Sequence, residues 1–339
     1  MIQQAIQKAT QRVDLQREEA FAVMTEIMSG AATPAQIGAL LTAMRMKGER
    51  TQEIVGFAEA MRRQAVAVTT KQQNVIDLSG TGHDGKETFN ISTVAAFVVA
   101  GAGVPVAKSV NCAVTTRCGS AEVLQALGIN VDLTPQQMGR CLDEVGLAFL
   151  FAPALYPHMQ AALVWRSEIG MRTIFNVLGP LTNPAGVRRQ VLGVGDRRLA
   201  TILAEALAEM GVEQALLVHG DEGLDEISVH GRSLTVELLK GRISERTLTP
   251  EDFGLHRYTN GLYGGTPPKN AEIARRILQG EAGAPRDVVI ANAACGLWVA
   301  GLADNFKAGA ALATQSLDSG AAMQKLEALR VLTNSFEKN

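Results

Sequence analysis

Near residue 70 this 339-residue chain switches from one folding pattern to another. The first seventy residues are dominated by Ala, Leu, Met and Glu and contain no alternating β-branched run, so only helices fit them. Their punctuation agrees. Gly30 closes an amphipathic segment over 18–29, Thr33-Pro34 opens the next as N-cap and first helical residue, Gly48 ends it, and Thr51 caps a further segment to about Ala65. After Lys71 the sequence turns to short apolar strands followed by glycine turns and helices. Strands are predicted at 74–78, 104–107, 190–194 and 215–219, with helices at 94–100, 121–126 and 197–210. Such alternation builds a mostly parallel sheet flanked by helices. Residues 138–172 read as helical again, residues 179–184 as a turn-rich connector, and 270–279 and 287–300 as covering helices.

The expected fold class is therefore α/β: a small N-terminal helical domain plus a larger α/β domain with a central, mostly parallel sheet. The predicted boundaries are 1–70 for the helical domain, joined by helices from about 138–185, and 71–339 for the α/β domain. A net charge of -2 gives no footprint of general nucleic-acid binding. The N-terminus is polar and lacks a signal-like apolar stretch, so a cytoplasmic protein is expected. The most apolar run, 94–107, is broken by Gly101, Gly103 and Pro105 and is too short to span a bilayer. Cys112, Cys118, Cys141 and Cys295 form no CxxC pair and have no histidines at zinc spacing, so they read as buried free thiols.

The strongest chemical signal is Ser79-Gly80-Thr81-Gly82-His83-Asp84-Gly85, directly after a predicted strand, with Thr88-Phe89-Asn90-Ile91-Ser92-Thr93 opening a helix. Glycines let the backbone approach a phosphate, and a helix N-terminus offers unpaired N–H groups with a favourable dipole. A tight turn with no ligand would look similar, but the hydroxyl and asparagine cluster favours an anion. The spacing is neither a Walker loop nor the dinucleotide-binding Gly-x-Gly-x-x-Gly pattern. A second signal is Asp225-Glu226, on a loop at the predicted carboxyl edge of the sheet, where ligands of open α/β sheets gather. Two hard carboxylates suit magnesium together with substrate phosphate. Adjacent acids are also common as solvated loop charge, which is how Asp221-Glu222 reads.

Gly80 to Gly85 with Thr88 to Thr93 resembles the signature of the anthranilate phosphoribosyltransferase family. The likeness continues in order through 108–124, 150–153, Arg166, 168–176 and 178–184, nearly the whole chain. It implies a helical domain joined to an α/β domain with the active site between them. It also implies phosphoribosyl diphosphate (PRPP) and Mg2+ as ligands, an aromatic amine acceptor such as anthranilate, and a homodimer formed through the helical domain. Carried over residue by residue, Gly80, His83, Asp84, Thr88, Asn90, Ile91, Ser92, Thr93, Lys108 and Ser120 would surround PRPP. Ser92, Asp225 and Glu226 would hold the metal, and Gly80, Asn111 and Arg166 would meet the acceptor.

The acceptor segment departs from the family. Where the family reads His-Gly-Asn-Arg, this chain reads Ser109-Val110-Asn111-Cys112, and His83 stands where a second glycine is usual. Val110 would be strained if its backbone needed a positive φ. His83 could meet PRPP or face solvent, and Cys112 reads as a packing residue. Arg166 could still pair with an aromatic carboxylate. The implied chemistry is displacement at the ribose C1 of PRPP by an amine, with pyrophosphate stabilised electrostatically and no residue assigned as acid, base or nucleophile. Weakened anthranilate activity is expected. Other readings are a transferase of the same fold with a different acceptor, a non-catalytic nucleic-acid-binding relative, and a nucleoside phosphorylase, whose signature matches less well.

Overall fold

The computed structural model describes residues 1–82, 84–111, 117–156 and 168–336. Four helices come first: α1 (Ile2–Thr10), α2 (Arg17–Met28), α3 (Pro34–Lys47) and α4 (Thr51–Gln64). Thr33 accepts a hydrogen bond from the Gln36 N–H, Pro34 occupies the first turn of α3, and Gly48 ends it at φ 87°, so its boundaries follow from local chemistry. α2 packs on α4 and α1 on α3.

The remainder is built on one seven-stranded sheet of order β3-β2-β1-β4-β5-β6-β7. The strands are β1 (Ile76–Gly80), β2 (Val106–Val110), β3 (Leu147–Phe151), β4 (Arg189–Gly193), β5 (Gln214–Gly220), β6 (Ser233–Leu239) and β7 (Arg242–Leu248). The first five run parallel, and β6 and β7 add an antiparallel edge. α5 (Ile91–Gly101) follows β1 and is buried along nearly its whole length, packed against the helices Ala284–Val299 and Ala321–Ser335. Across the seam with the helical bundle, α4 packs on the helix Ala200–Glu209, and α3 and α4 both meet the helix Ile174–Leu181. Arg62 ties the seam by donating from Nε to the Leu181 carbonyl at 3.0 Å and from Nη1 to the Met210 carbonyl at 3.3 Å.

The strand order fixes the position of the functional site. The chain leaves β1 toward β2 on one side, and β4 enters on the other, so the sheet's switch point lies between β1 and β4. A crevice opens there at the carboxyl ends of parallel strands.

Two stretches differ from the sequence reading. Within the segment read as helical, only Pro135–Val145 is helix before β3 begins at Leu147. The run Leu147-Ala148-Phe149-Leu150 is apolar on both faces because β3 is buried on both sides, and such a run carries no period that separates strand from helix. β6 and β7 also went unread; for β7 the reason is the opposite one, since it is exposed at all but its last residue.

Candidate active site

The cleft at the switch point is lined by the ends of β1 and β2, the loop into α5, the start of the helix Ser120–Ala126, the helix Ile174–Leu181, the Asp225–Glu226 loop and the 264–270 segment. Thr81 continues the β1 ladder with its N–H on the Gly193 carbonyl at 2.8 Å, and its hydroxyl accepts the Gly195 N–H at 2.9 Å. Glycine is required where the loops cross. A Cβ on Gly193 would stand 1.9 Å from the Asp225 carbonyl oxygen, and one on Gly80 would stand 2.6 Å from Asp225 Oδ2. Only bare backbone lets the acidic loop reach the phosphate loop.

The two loops are stitched together by the acids themselves. The Gly82 N–H donates to Asp225 Oδ2 at 2.8 Å, and the Ser92 N–H, in the first turn of α5, donates to Glu226 Oε1 at 3.0 Å. Burial, with Asp84 nearby, pushes the Asp225 carboxyl up to about 7. Burial and the neighbouring Asp225 charge push Glu226 up to about 8. Lys108, almost fully buried, donates to the Leu78 carbonyl and to Ser92 Oγ. Burial lowers its pKa, against the opposing pull of Asp77, Glu226 and Asp225.

This donor set fits a magnesium ion shared with a substrate. Two carboxylates disfavoured by burial, beside the Ser92 hydroxyl, would regain their charge against a cation. Among the described residues no cluster of three or more His, Cys, Asp or Glu is arranged to cage a metal on its own. Magnesium commonly takes one or two carboxylates and completes its shell with phosphate and water. Glu222 departs from its reading as ordinary loop charge: it accepts the Ser228 hydroxyl at 2.5 Å and lies 3.7 Å from His230 Nδ1. Asp221 is exposed.

On the opposite wall, Asn90 donates to the Cys118 carbonyl at 3.3 Å and accepts from Asn270 at 3.0 Å, while Asn270 also accepts the Gly265 N–H at 2.7 Å. Ser120 exchanges 3.4 Å contacts with the Asn111 backbone. Gly80, Asp84, Thr88, Asn90, Ile91, Ser92, Thr93, Lys108, Asn111, Ser120, Asp225 and Glu226 all line the one cleft. His83, Cys112 and Arg166 lie outside the described residues. The condition for strain at Val110 is not met: it is the last residue of β2, paired with Phe151, and has no positive φ. No strain arises there.

Sequence reasoning gave no role to Asn270, to Phe175, Asn176 and Pro180, or to the floor beneath them. In that floor, buried Asp77 accepts from Ser79 Oγ at 2.5 Å, from the Ser109 N–H and hydroxyl at 3.4 Å, and from Asn183 Nδ2 at 2.8 Å. Burial raises the Asp77 pKa. Lone asparagines and one aspartate in apolar runs were the available signal, but their partners are distant in sequence. Cys118, Cys141 and Cys295 are buried, and burial pushes Cys118 up to about 11 and Cys141 up to about 12. Among the described residues no helix is long and apolar enough to cross a membrane.

Comparison with known proteins points the same way. Residues 3–65 match the helical bundle domain of the glycosyl transferase family, and residues 72–323 match its a/b domain. An anthranilate phosphoribosyltransferase of Desulforudis audaxviator is 53% identical over 97% of this chain and 95% of its own length. The crystal structure of anthranilate phosphoribosyltransferase from Thermus thermophilus superposes with a TM-score of 0.92 at 41% identity, covering 98% of this chain and 99% of that one. The Saccharomyces cerevisiae enzyme in complex with PRPP and Mg has a TM-score of 0.85 at 27% identity, over 94% and 93% of the two chains.

Proposed function

The chain belongs to the anthranilate phosphoribosyltransferase family of glycosyl transferases, and from that premise we propose how its own residues carry the family reaction. The protein transfers the phosphoribosyl group of PRPP to the amine of anthranilate with release of pyrophosphate. A bond forms from the amine nitrogen to ribose C1, the C1–oxygen bond breaks, pyrophosphate leaves with that electron pair, and the amine gives up a proton. Full-length identity of 53% to a transferase favours this over a non-catalytic relative.

The observation that carries the reading is the stitching of the acidic loop into the phosphate loop, Asp225 on Gly82 at 2.8 Å and Glu226 on Ser92 at 3.0 Å. We assign PRPP to Gly80, Asp84, Thr88, Asn90, Ile91, Ser92, Thr93, Lys108 and Ser120, with His83 beside them. Backbone N–H groups and the Lys108 ammonium would meet the diphosphate. Asp225, Glu226 and Ser92 would hold Mg2+, which when bound supplies positive charge against the departing pyrophosphate. Gly80, Asn111 and Arg166 are assigned to the acceptor, whose carboxylate suits a guanidinium. An aromatic amine is largely neutral at pH 7, so the site needs orientation more than a strong base.

The reading also takes residues 1–70 as the helical domain, with 138–185 joining it, and 71–339 as the α/β domain. The protein is read as a cytoplasmic homodimer through its helical domain, where Val13 and Met46 stand exposed. Anthranilate turnover weaker than in relatives that keep His-Gly at positions 109–110 belongs to the same reading. The test is anthranilate consumption and pyrophosphate release with PRPP and Mg2+, beside PRPP binding by calorimetry. Turnover dependent on all three is expected; PRPP binding without turnover would point to another acceptor, and no PRPP binding would overturn the assignment.

A further inference from the structure

The helix Ala284–Val299 is apolar and buried through its central turns except for one amide, Asn292, which is 1% exposed. A polar side chain in such a place needs its hydrogen bonds met. Its Oδ1 accepts the Ile227 N–H at 2.9 Å, and its Nδ2 donates to the Ile227 carbonyl at 3.1 Å and to Val288 O, one turn back, at 2.8 Å. Ile227 directly follows the acidic pair and lies between β5 and β6, outside both strands, so no ladder holds it. One amide therefore grips both backbone polar groups of the residue next to Glu226. On the other side of the pair, the Asp225 carbonyl rests against Gly193, where no side chain fits.

We propose that Asn292 is a positioning residue for the divalent-cation site, fixing where Asp225 and Glu226 point without touching substrate or metal. The inference rests on the Mg2+–PRPP reading above. Without the amide, two buried backbone groups lose their partners, and the loop must shift to recover them. Partners that orient metal ligands typically contribute about 10–100-fold in metal affinity.

The test measures Mn2+ binding by electron paramagnetic resonance on the full-length chain with PRPP present, with melting temperature alongside. The control is Ser316→Ala: Ser316 is equally buried and donates to the Val98 carbonyl at 2.8 Å, remote from the acidic loop. Asn292→Ala should weaken Mn2+ binding about tenfold or more, while Ser316→Ala lowers the melting temperature and leaves Mn2+ affinity unchanged. If Asn292→Ala does not fold, Asn292→Asp, of equal size and keeping the acceptor for Ile227 N–H, is judged by the same criterion. Affinity within twofold of the unaltered chain, or equal weakening in Ser316→Ala, overturns the proposal. Absence of Mn2+ binding in the unaltered chain with PRPP would instead remove the reading beneath it.

Discussion

The two halves of the cleft are held by different means. The half proposed to take phosphate and metal is fixed through backbone: Thr81 on Gly193, Gly82 and Ser92 amides on the two acids, and glycines where a Cβ would collide. The half proposed to take the acceptor is fixed through side chains. The helix Ile174–Leu181 supplies Phe175, Asn176, Gly179 and Pro180, and just beyond it Asn183 reaches under the sheet to Asp77 and to the Ala107 carbonyl, each at 2.8 Å. A backbone-held site tolerates few substitutions, because each glycine is a steric requirement. A side-chain-held site can change residue by residue, and this chain's departures Ser109 and Val110 fall in the segment that the family resemblance gives to the acceptor.

The largest effect should come from breaking the backbone half. Gly193→Ala places a methyl group 1.9 Å from the Asp225 carbonyl and must displace the loop. A displacement near 1 Å would reduce kcat/KM by about 100-fold; steady-state kinetics checks this, and unaltered kcat/KM would show that the loop has slack.

Next comes pH. Asp225 at about 7 and Glu226 at about 8 are partly protonated near neutrality, so a cation must displace protons. Mn2+ or Mg2+ affinity should rise with pH from 6 to 8, about tenfold per pH unit for each proton released. The stability sign is opposite in the metal-free protein. Both folded-state pKa values lie above those of the unfolded chain, so the folded state binds more protons and these acids lower stability as pH rises from about 4 toward 8. Melting curves of the unaltered chain against Asp225→Asn, over that range without metal, should diverge accordingly. A flat difference would mean that the acids are solvated.

Asn183→Ala tests the side-chain half. Losing both bonds should cost about 1–3 kcal/mol of stability and raise the anthranilate KM more than the PRPP KM. Equal changes in both KM values would mean the halves are not separable. The smallest effect is expected from Ser109→Ala, because it removes only the long hydroxyl contact to Asp77, at 3.4 Å, and keeps the backbone N–H contact. A loss of about 0.5–1.5 kcal/mol at most is expected from denaturant unfolding, with a few-fold change in anthranilate KM.

Much of the fold was legible because its signals are local. Thr33-Pro34 and Gly48 bracket α3 through capping within one turn, and Ser79 to Thr93 announces a strand, a glycine loop and a helix start through residues that are neighbours. β3 was not legible, since burial on both faces erased its alternation. The metal-facing use proposed for Asp225-Glu226 rests on resemblance, because two adjacent acids on a loop carry no sign of what faces them.

By itself the sequence determined the helical start, the α/β character beyond residue 70, and the residue types able to hold a phosphate and a hard cation. Tertiary structure alone decided that Gly82 meets Asp225 across 143 residues, that Asn183 meets Asp77 across 106, and that Asn292 meets Ile227 across 65. Caps, turns and periodicity act within a few residues of themselves, whereas these pairings depend on which strands lie side by side and on how closely their loops can pack.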